Sequence, residues 1–575
     1  MDVAEKPWLR SRAWWWARLK RPSLAASLLA AASIVFLSLL QRTSTPAGAP
    51  YSRPTTTVVA SSASLPAHRS CAGFYDAGPP RKAVFSIKEF GGIGDGRTSN
   101  TAAFRQAVER CREFGDKGGA QLNVPPGRWL TGSFNLSSNF TLFLDDGAVI
   151  LGSEQRIDDF GVNKAFFWML GGIVKKYSFS LKELRFLHMY GTYTFAGYLI
   201  DFDCEGAACS SPPVTTVCRM IQYPLHVVHH YLQVDCCMHD NLSTTTCGRA
   251  VVSSDIYNPS SMSTDGCLGA AIMSMRLIKH CAIGHNGSID GQGKIWWDLW
   301  WNRTLEHTRG HLVELVNSTN ILISNLTFLN APFWTIHPVY CSNAVIKNLT
   351  VLAPLHSPNT DGIDPDSSTN ICIEDCYIES GDDLVAVKSG WDQYGVAVAR
   401  PSTNIIIQRI SGTTPTCSGV GIGSEMSGGI SNILVDDLHV WDSAAAVRIK
   451  TDRGRGGYIT NVTVTNVKME RVKVPIRFSQ GSDDHPDEGW DPNALPRVNI
   501  IHVSNVTSID AEKAPILEGI EGAKFDGLCL RNIYLSTIHR EAKWHCEHID
   551  GEAYNVFPLP CPQLRSNATS SKCLH

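Results

Sequence analysis

The sequence predicts an all-β protein: a right-handed parallel β-helix, or solenoid, with an N-terminal capping helix, preceded by a transmembrane or signal segment. Three observations lead to this prediction: a strand-like word repeated in the C-terminal half, an amphipathic segment before the first coils, and an apolar run near the N-terminus. The chain has 575 residues, 43% of them hydrophobic, which is enough for a long core. Its net charge of −3 argues against nucleic acid as a partner, because nucleic acid requires a basic surface.

The repeated word is short, has apolar residues at alternate positions and is flanked by asparagine. Its copies read NILISN, NAVIKN, NICIED, NIIIQR, NILVDD, NVTVTN and NIIHVSN, and they begin at residues 320, 343, 370, 404, 432, 461 and 499. A fixed word at an irregular period of this size indicates stacked β coils whose loops differ in length. Asparagine tolerates the left-handed turn between strands and can form a hydrogen-bonded ladder along the stack. A β-sandwich, the main alternative, lacks a repeated word at this spacing.

A helix is predicted to cover the N-terminal end of the stack, since a solenoid needs its open ends closed. In NTAAFRQAVERC the residues Phe104, Ala107, Val108 and Cys111 fall on one helical face, and Asn100 is the expected N-cap. Residues 119–153 then fit the first coils of the β-helix.

The chain divides into a basic cytosolic tail (1–22), a signal-anchor or signal peptide (23–40), a Ser/Thr/Pro-rich stalk (41–80), the β-helix (81–565) and a short tail (566–575). The run at 23–40 has no charge and follows basic residues, which favours a retained anchor over a cleaved signal peptide. We therefore expect a protein of the secretory pathway. It is either a type II membrane protein of the Golgi or plasma membrane, held in the membrane by residues 23–40, or a protein secreted to the cell wall.

Two further features suit an oxidising, exported location. The chain has 18 cysteines, although their pairing cannot be predicted from sequence. Asn-x-Ser/Thr triplets are frequent, and among them are those that begin at Asn135, Asn139, Asn302, Asn317, Asn325, Asn348, Asn461, Asn505 and Asn567.

One segment, at about 160–285, lacks the repeat, and the coil pattern resumes at residue 286. Eight of the 18 cysteines lie between Cys204 and Cys281. Metal-ligand types occur there, but their spacing matches no paired zinc pattern, and no metal is predicted; they are His229, His230, Cys236, Cys237 and His239. Our hypothesis is that this Cys-rich insert is foreign to the fold, such as a translated intron, which sequencing of the mature transcript would test.

A cluster of acidic residues is predicted in the repeat region. Asp361 lies 21 and 22 residues before Asp382 and Asp383, which is about one coil, so the three can meet on neighbouring rungs about 4.8 Å apart. Gly381 can provide the kink that turns both later acids outward. Grouped carboxylates repel, so one should keep its proton while another is ionised. Such an acid and base are what an inverting glycosidase needs; a solvated acidic turn or a calcium site are the alternatives.

Two cations follow on a later coil. Arg448 and Lys450 are two residues apart, so both point to one face of a strand, two or three coils beyond the acids. Fixed cations beside carboxylates suggest a substrate that is itself anionic, such as a uronic sugar. The alternative is that these cations only pair with acids on the stack; the candidates are Asp436, Asp437 and Asp442.

Three ordered motifs resemble the polygalacturonases, glycoside hydrolase family 28: Asn359-Thr360-Asp361, Gly381-Asp382-Asp383 and Arg448-Ile449-Lys450. The segments FSIKEFGGIGDGRTSNTAAF and VPPGRWLTGSF are similar to the N-terminal coils of that family, and the resemblance covers residues 81–155 and 286–565. GWDQYG and GSEMSGG resemble the plant and bacterial branch, which includes exo-acting members.

The resemblance implies an inverting hydrolase that cleaves α-1,4-galacturonosyl linkages of pectin without a metal or other cofactor. It implies Asp382 as general acid and Asp361 and Asp383 as the residues that activate water. The substrate-binding residues would be Asn359, Arg448 and Lys450. We expect the protein to act as a monomer on a homogalacturonan-type polysaccharide.

The sequence departs from the family pattern at two places. Cys417-Ser418-Gly419 stands where the family has Gly-His-Gly, so Ser418 replaces the histidine that is thought to tune the acidic centre. The family tyrosine expected some thirty residues after Arg448 has no match, and QGSDDHPDEGWDPN, with His485 and Trp490, is predicted there as an exposed acidic loop. A calcium-dependent pectate lyase on a similar fold and a non-catalytic pectin-binding wall protein remain as alternatives.

Overall fold

The computed structural model describes residues 71–154, 273–564 and 573, with gaps at 72, 77, 79, 277–278, 306–307, 480–483, 487–488 and 540–541. Between 193 and 253 it describes five strands by their backbone. The predicted segments 1–22 and 23–40, and most of the predicted stalk, lie outside the described residues. Among the residues described, no helix has both the length and the apolar character needed to cross a bilayer.

The elements have the following bounds. The helices of the described part are α1 (Thr101–Arg112), α2 (Lys294–Trp301) and α3 (Asp392–Val398), with 3-10 turns at Ile87–Phe90, Gly115–Lys117 and Pro562–Leu564. The strands before the predicted insert are β1 (Ala83–Ser86), β2 (Ala120–Val124), β3 (Gly127–Thr131), β4 (Phe134–Asn135), β5 (Phe140–Leu144) and β6 (Ala148–Gly152). Within it are β7 (Tyr193–Phe195), β8 (Tyr198–Phe202), β9 (Thr215–Gln222), β10 (Leu232–His239) and β11 (Thr245–Ser253).

The remaining strands follow in chain order. They are β12 (Met273–Arg276), β13 (Lys279–Gly284), β14 (Ser288–Asp290), β15 (Val313–Val316), β16 (Thr319–Leu329), β17 (Ile336–Val339), β18 (Ser342–Leu352), β19 (Thr369–Glu379), β20 (Val385–Val387), β21 (Ser402–Thr413) and β22 (Ser418–Ile422). The last coils contain β23 (Ile430–Trp441), β24 (Ala445–Lys450), β25 (Tyr458–Glu470), β26 (Val474–Ser479), β27 (Arg497–Ala511), β28 (Ile516–Glu518), β29 (Phe525–Thr537), β30 (His545–Glu547) and β31 (Ile549–Phe557).

These strands stack into the predicted parallel β-helix. The first sheet runs in parallel in the order β1-β2-β5-β13-β16-β18-β19-β21-β23-β25-β27-β29-β31, and each repeated word forms one of its long strands from β16 to β27. A second face is built from β4-β12-β15-β17 and from β20-β22-β24-β26-β28-β30. Single parallel bridges at Ile363, to Ile336 on one side and Val385 on the other, join these two groups into one continuous stack. We call this stack the second sheet.

The flanking asparagines form the predicted ladders. Asn320 and Asn325 in β16 both have φ of 55°, and the asparagines of the following words repeat this left-handed conformation except in the last word, where Ile500 takes it in place of Asn499. Their amides bond from coil to coil: Asn348 donates to Asn325 at 3.0 Å, and Asn461 donates to Asn432 at 2.6 Å. The long strands therefore bend at the same places in every coil, and the ladder fixes how one coil lies on the next.

The capping helix forms as predicted and buries one face. Phe104, Ala107, Val108 and Cys111 of α1 are all buried in the core, and the Phe104 ring stacks on Phe134 of the first coils at a centroid distance of 4.6 Å. The expected capping bond of Asn100 is absent. Its side-chain oxygen instead accepts the backbone N–H of residue 93 at 2.7 Å, so this amide fixes the loop before the helix.

The Cys-rich segment leaves the β-helix between two neighbouring coils. Phe134 of β4 pairs with Met273 of β12, and Val149 of β6 pairs with Ser288 of β14. The β-helix therefore resumes at Met273, which is earlier than the predicted residue 286. Strands β7 to β11 form an antiparallel sheet of their own, and within the described residues none of them pairs with the parallel sheets.

Three disulfides join described cysteines: Cys71–Cys372, Cys529–Cys573 and Cys546–Cys561. Cys71 lies in the predicted stalk and Cys573 in the predicted C-terminal tail, so each of these segments is tied to the β-helix at that point. Five described cysteines are unpaired and buried; they are Cys111, Cys281, Cys341, Cys376 and Cys417.

Candidate active site

The predicted acids meet on the outer side of the second sheet. The bridges from Ile363 to Val385 set the register, and the backbone N–H of Gly362 donates to the carbonyl of Asp383 at 3.0 Å. Asp361 and Asp383 therefore occupy equivalent positions on adjacent coils, and Asp382 lies beside them. The spacing of about one coil that the sequence shows thus brings all three side chains to one place.

Gly381 has a different role from the one predicted. Its backbone is not left-handed, and a Cβ at this position would lie 1.9 Å from the carbonyl oxygen of Ser357 on the preceding coil. The glycine is therefore required by a close approach between coils rather than by a kink. Of the three acids, only Asp382 is partly exposed, whereas Asp383 is fully buried. We call the surface around Asp361, Asp382 and Asp383 the groove.

Asp383 is held in its ionised form. Its Oδ2 forms an ion pair with Lys450, and its Oδ1 accepts the Ser418 backbone N–H at 2.8 Å and the Ser418 hydroxyl. Burial alone would raise the pKa of Asp383, but the Lys450 charge and these hydrogen bonds lower it well below its usual value. Asp383 is therefore a carboxylate at any pH at which the protein would act.

The two other acids have the opposite tendency. Burial, and then the charge of Asp383, raise the pKa of Asp382. Burial, and then the charges of Asp382 and Asp364, raise the pKa of Asp361 well above its usual value. The Oδ1 of Asp361 is buried and has no hydrogen-bond partner among the described residues. The site therefore combines one fixed carboxylate with two carboxyl groups that tend to hold a proton.

Lys450 reaches Asp383 across an intervening coil. β22 lies between β20 and β24, and at the crossing point it carries Gly421. A Cβ on Gly421 would lie 2.7 Å from the Asp383 Oδ2 and 3.3 Å from the Lys450 Cε. The ion pair thus depends on the absence of a side chain at residue 421.

The sequence suggested three acids as structural partners of the two cations. None of these acids pairs with Lys450. Asp442 forms an ion pair with Arg471 at 2.7 Å, and Asp436 accepts a hydrogen bond from Asn466 at 2.7 Å. The other predicted cation, Arg448, projects from the same strand as Lys450 and is half-buried.

Asn359 is fixed beside Asp382 by a buried arginine. Its side-chain oxygen accepts a hydrogen bond of 2.6 Å from Arg309, and its nitrogen lies 3.5 Å from the Asp382 Oδ2. Arg309 also donates to the carbonyl of Pro358 at 2.6 Å, and its guanidinium lies 4.8 Å from the Phe333 ring centroid. Burial lowers the pKa of Arg309 to about 10, so it remains a cation at neutral pH.

A model of the family described as glycosyl hydrolases family 28 matches residues 241–555, which is more than half of the chain. The chain belongs to glycosyl hydrolases family 28. The matched range begins inside the predicted insert at about 160–285, so part of that segment lies in family-like sequence.

Individual relatives agree with this assignment. A "Probable polygalacturonase" of Vitis vinifera is 36% identical over 484 residues, which are 83% of this chain and 80% of that one. A hyperthermoactive exopolygalacturonase from Thermotoga maritima has a TM-score of 0.56 and 21% identity, and covers 84% of this chain and 94% of its own. The polygalacturonase from Erwinia carotovora has a TM-score of 0.54 and 20% identity, with 83% and 98% covered. These two structures support the fold.

The structure shows what Ser418 does at the position where a family histidine is expected. Ser418 donates two hydrogen bonds to Asp383, and the thiol of Cys417 lies within 4.8 Å of both Asp382 and Asp383. Burial raises the pKa of Cys417 well above its usual value, so the thiol stays neutral beside the acids. The site keeps a donor to the ionised acid but has no titratable imidazole at this position.

The predicted exposed acidic loop after Arg448 is partly packed. His485 has only 12% of its side chain exposed, lies 2.6 Å from the Asp392 carboxylate and stacks on Trp490 at a centroid distance of 3.7 Å. Asp392 also forms an ion pair with Arg455 at 2.6 Å. His485 and Trp490 are therefore packed together against Asp392 of α3, rather than exposed as predicted.

A second buried cluster, which the sequence analysis did not predict, surrounds Lys388. Lys388 lies 3.1 Å from Glu425 and 4.3 Å from the Trp334 ring centroid, and is 4% exposed. Burial would lower the pKa of Lys388, but the surrounding carboxylates raise it well above its usual value. The signal was present in the sequence: Lys388 is the single base in the acidic stretch at 357–390.

Two histidines lie next to that cluster. Burial would lower the pKa of His337, but bonds to Asp366 and Glu314 raise it to about 9, whereas burial lowers that of His311 to about 3. Among the described residues, polar atoms of His311, Glu314 and His337 lie within 4.8 Å of one another, as do those of Asp382, Asp383 and Cys417, so a cation could be held at either cluster. A third group of this kind, Cys71, Cys372 and Glu374, contains the Cys71–Cys372 disulfide. The absence of a required metal stays a prediction.

Proposed function

We propose that this protein hydrolyses α-1,4-galacturonosyl linkages of pectin with inversion at the anomeric carbon. Membership of family 28 and the similarity to the probable polygalacturonase of Vitis vinifera support this activity. The observation that carries the mechanism is the pair of neighbouring carboxyl groups whose pKa values are moved in opposite directions, upward for Asp382 and downward for Asp383.

Each acid then has one role. Asp382 is partly exposed and tends to be protonated, so it gives its proton to the glycosidic oxygen as the bond from that oxygen to the anomeric carbon breaks. Asp383 is ionised, so it takes a proton from the water molecule whose oxygen forms the new bond to that carbon. Asp361, whose pKa is raised and which therefore tends to keep its proton, holds and orients that water by hydrogen bonding.

The cations stabilise charge rather than take part in proton transfer. Lys450 keeps Asp383 ionised through its ion pair. Asn359, fixed by Arg309, lies close enough to Asp382 to orient the acid toward the bond that is cleaved. Lys450 and Asn359 both belong to the proposed site, but Lys450 acts on the substrate through Asp383.

The activity is tested with polygalacturonate as substrate. We expect release of new reducing ends, with inverted anomeric configuration when the first products are followed by NMR. Asp382→Asn and Asp383→Asn should each lower kcat by about 10²- to 10⁴-fold. Asp436→Asn, a change on the first sheet, is the matched control and should retain activity. An unsaturated, ultraviolet-absorbing product that depends on calcium would instead identify a lyase, and binding without cleavage would identify a wall-binding protein.

We further propose that the protein enters the secretory pathway and is held in the membrane by residues 23–40. The uncharged run at 23–40 after a basic N-terminus supports this, as do the disulfides of the β-helix. Carbonate extraction of microsomes is the test, and release of the full-length chain into the soluble fraction would exclude an anchor. A monomer is expected, and its mass in solution would be measured by light scattering.

A further inference from the structure

The groove contains a pair of arginines on neighbouring coils. Arg448 of β24 and Arg477 of β26 are direct partners in the parallel register of the second sheet, and both are half-buried. Adjacent parallel strands are about 4.8 Å apart, so the two side chains leave the same face side by side. The pair lies beyond Gly421 of β22, with Arg448 one coil and Arg477 two coils further from Asp383 than β22.

These two guanidinium groups are close but not compensated. The Nε atom of each is buried and has no hydrogen-bond partner in the part of the chain that the structure describes. No described carboxylate forms an ion pair within 4.0 Å of either group; the acid whose charge raises the pKa of Arg477 is Glu518, which is itself 3.1 Å from His545. Burial, followed by the charge of Arg448, lowers the pKa of Arg477, as expected for like charges held together.

The other groove cations differ in this respect. Lys450 is paired with Asp383, and Lys388 with Glu425. Arg309 donates to Asn359 and to a backbone carbonyl. Among the described groove residues named above, Arg448 and Arg477 are therefore the cations left to receive an anion from outside the protein.

We propose that Arg448 and Arg477 together form a binding site for the carboxylate of a galacturonate unit next to the cleaved bond, and that Arg477 makes this site selective for unesterified pectin. The inference rests on the proposed function and adds a specificity residue to it. Each guanidinium presents a planar fork of donors that matches a carboxylate, so one ion can bridge the pair and remove their repulsion. A methyl ester has no charge and one acceptor fewer, so the same unit would leave both cations uncompensated.

Lys450 was the predicted partner of Arg448 in holding the substrate carboxylate. Its ion pair with Asp383 leaves that position to Arg477, which is one coil further along rather than two residues further along the same strand. The charged site therefore extends across neighbouring coils rather than along one strand.

The test measures binding and turnover separately. Binding of short unesterified oligogalacturonates is measured by calorimetry in an Asp382→Asn background, where cleavage does not interfere. There, Arg477→Gln should weaken the affinity about 10- to 100-fold, because a hydrogen-bonded charge contact is lost. Arg471→Gln, which removes an arginine paired with Asp442 just after strands β25 and β23 of the first sheet, is the matched control and should bind normally.

Turnover then tests selectivity in the otherwise unchanged enzyme. Arg477→Gln should raise KM for unesterified polygalacturonate by about tenfold, with little change in kcat, and should leave KM for highly methyl-esterified pectin nearly unchanged. Arg448→Gln together with Arg477→Gln should cost less than the sum of the two single effects, because both side chains bind one ion.

Two outcomes would overturn the inference: unchanged oligogalacturonate affinity in Arg477→Gln, or an equal loss on unesterified and esterified pectin. The failure of the proposed function looks different. In that case the unmodified protein releases no reducing ends, while the dependence of oligogalacturonate binding on Arg477 can still be measured.

Discussion

Replacing Lys450 by methionine should make the stability of the protein depend on pH in a new way. The change keeps the length of the side chain but removes the only ion-pair partner that the described residues offer to Asp383, which is fully buried. Removing one member of a buried pair leaves the other charge uncompensated, at a cost of about 3–5 kcal/mol in the free energy of unfolding near neutral pH.

The sign of the pH dependence follows from the pKa of Asp383. In the unmodified protein that pKa lies below the value of the unfolded chain, so the interaction stabilises the fold above about pH 4 and is lost only in stronger acid. In Lys450→Met the remaining large influence is burial, which raises the pKa. The variant is then penalised at neutral pH and recovers as Asp383 takes up a proton on acidification. The difference between the two proteins should therefore shrink by about half or more between roughly pH 7 and pH 4.

Urea unfolding followed by tryptophan fluorescence at several pH values measures this difference. Lys473→Met, which removes an exposed lysine that donates to the carbonyl of Pro415, is the control and should cost less than about 1 kcal/mol at every pH. Gly421→Ala should act in the same direction as Lys450→Met, because its Cβ would lie 2.7 Å from the Asp383 oxygen. A difference between Lys450→Met and the unmodified protein that stays constant from neutral to acid pH would refute the reasoning.

Three further predictions concern the scaffold. Cys71→Ser should lower the free energy of unfolding by about 2–4 kcal/mol with activity retained, because the disulfide to Cys372 closes a long loop; urea unfolding measures it, and a loss of activity in the folded variant would contradict it. Phe104→Ala should cost about 3–5 kcal/mol by emptying the contact under the capping helix, and a cost below about 1 kcal/mol would show that the helix is dispensable. Mass spectrometry should find glycan at the exposed Asn302 and not at Asn461, whose amide nitrogen donates to the ladder, and the reverse occupancy would contradict this.

The stack was predictable because each coil repeats the same local requirement. Asn320 and its counterparts take a left-handed turn that few other residues tolerate, so they mark the coils in the sequence itself. The meeting of Asp361 with Asp383 followed from the same repeat, since their spacing is about one coil. The predicted helix was equally direct, because the apolar face of α1 has the period of a helix.

Other parts of the site could not be predicted, because they depend on contacts between coils of unequal length. The partner of Lys450 is 67 residues away and is reached over a glycine in the coil between, which no local pattern indicates. Arg309 lies shortly before β15, where the sequence lacks the repeated word, and it reaches Asn359 from there. The role predicted for Gly381 was wrong because a close approach to another coil, here at Ser357, and a turn both require a glycine. The sequence alone does not distinguish the two.

The asparagine columns also have a consequence for the chemistry. A solenoid could in principle slide one rung by one residue, which would exchange the inward and outward side chains of that rung. Each amide in the column is hydrogen-bonded to the amides of the neighbouring coils. Such a slip would therefore break the hydrogen bonds on both sides of the coil at once. The asparagine columns of the first sheet thereby hold all the coils in register. This register is what brings acids that are far apart in the sequence to one place.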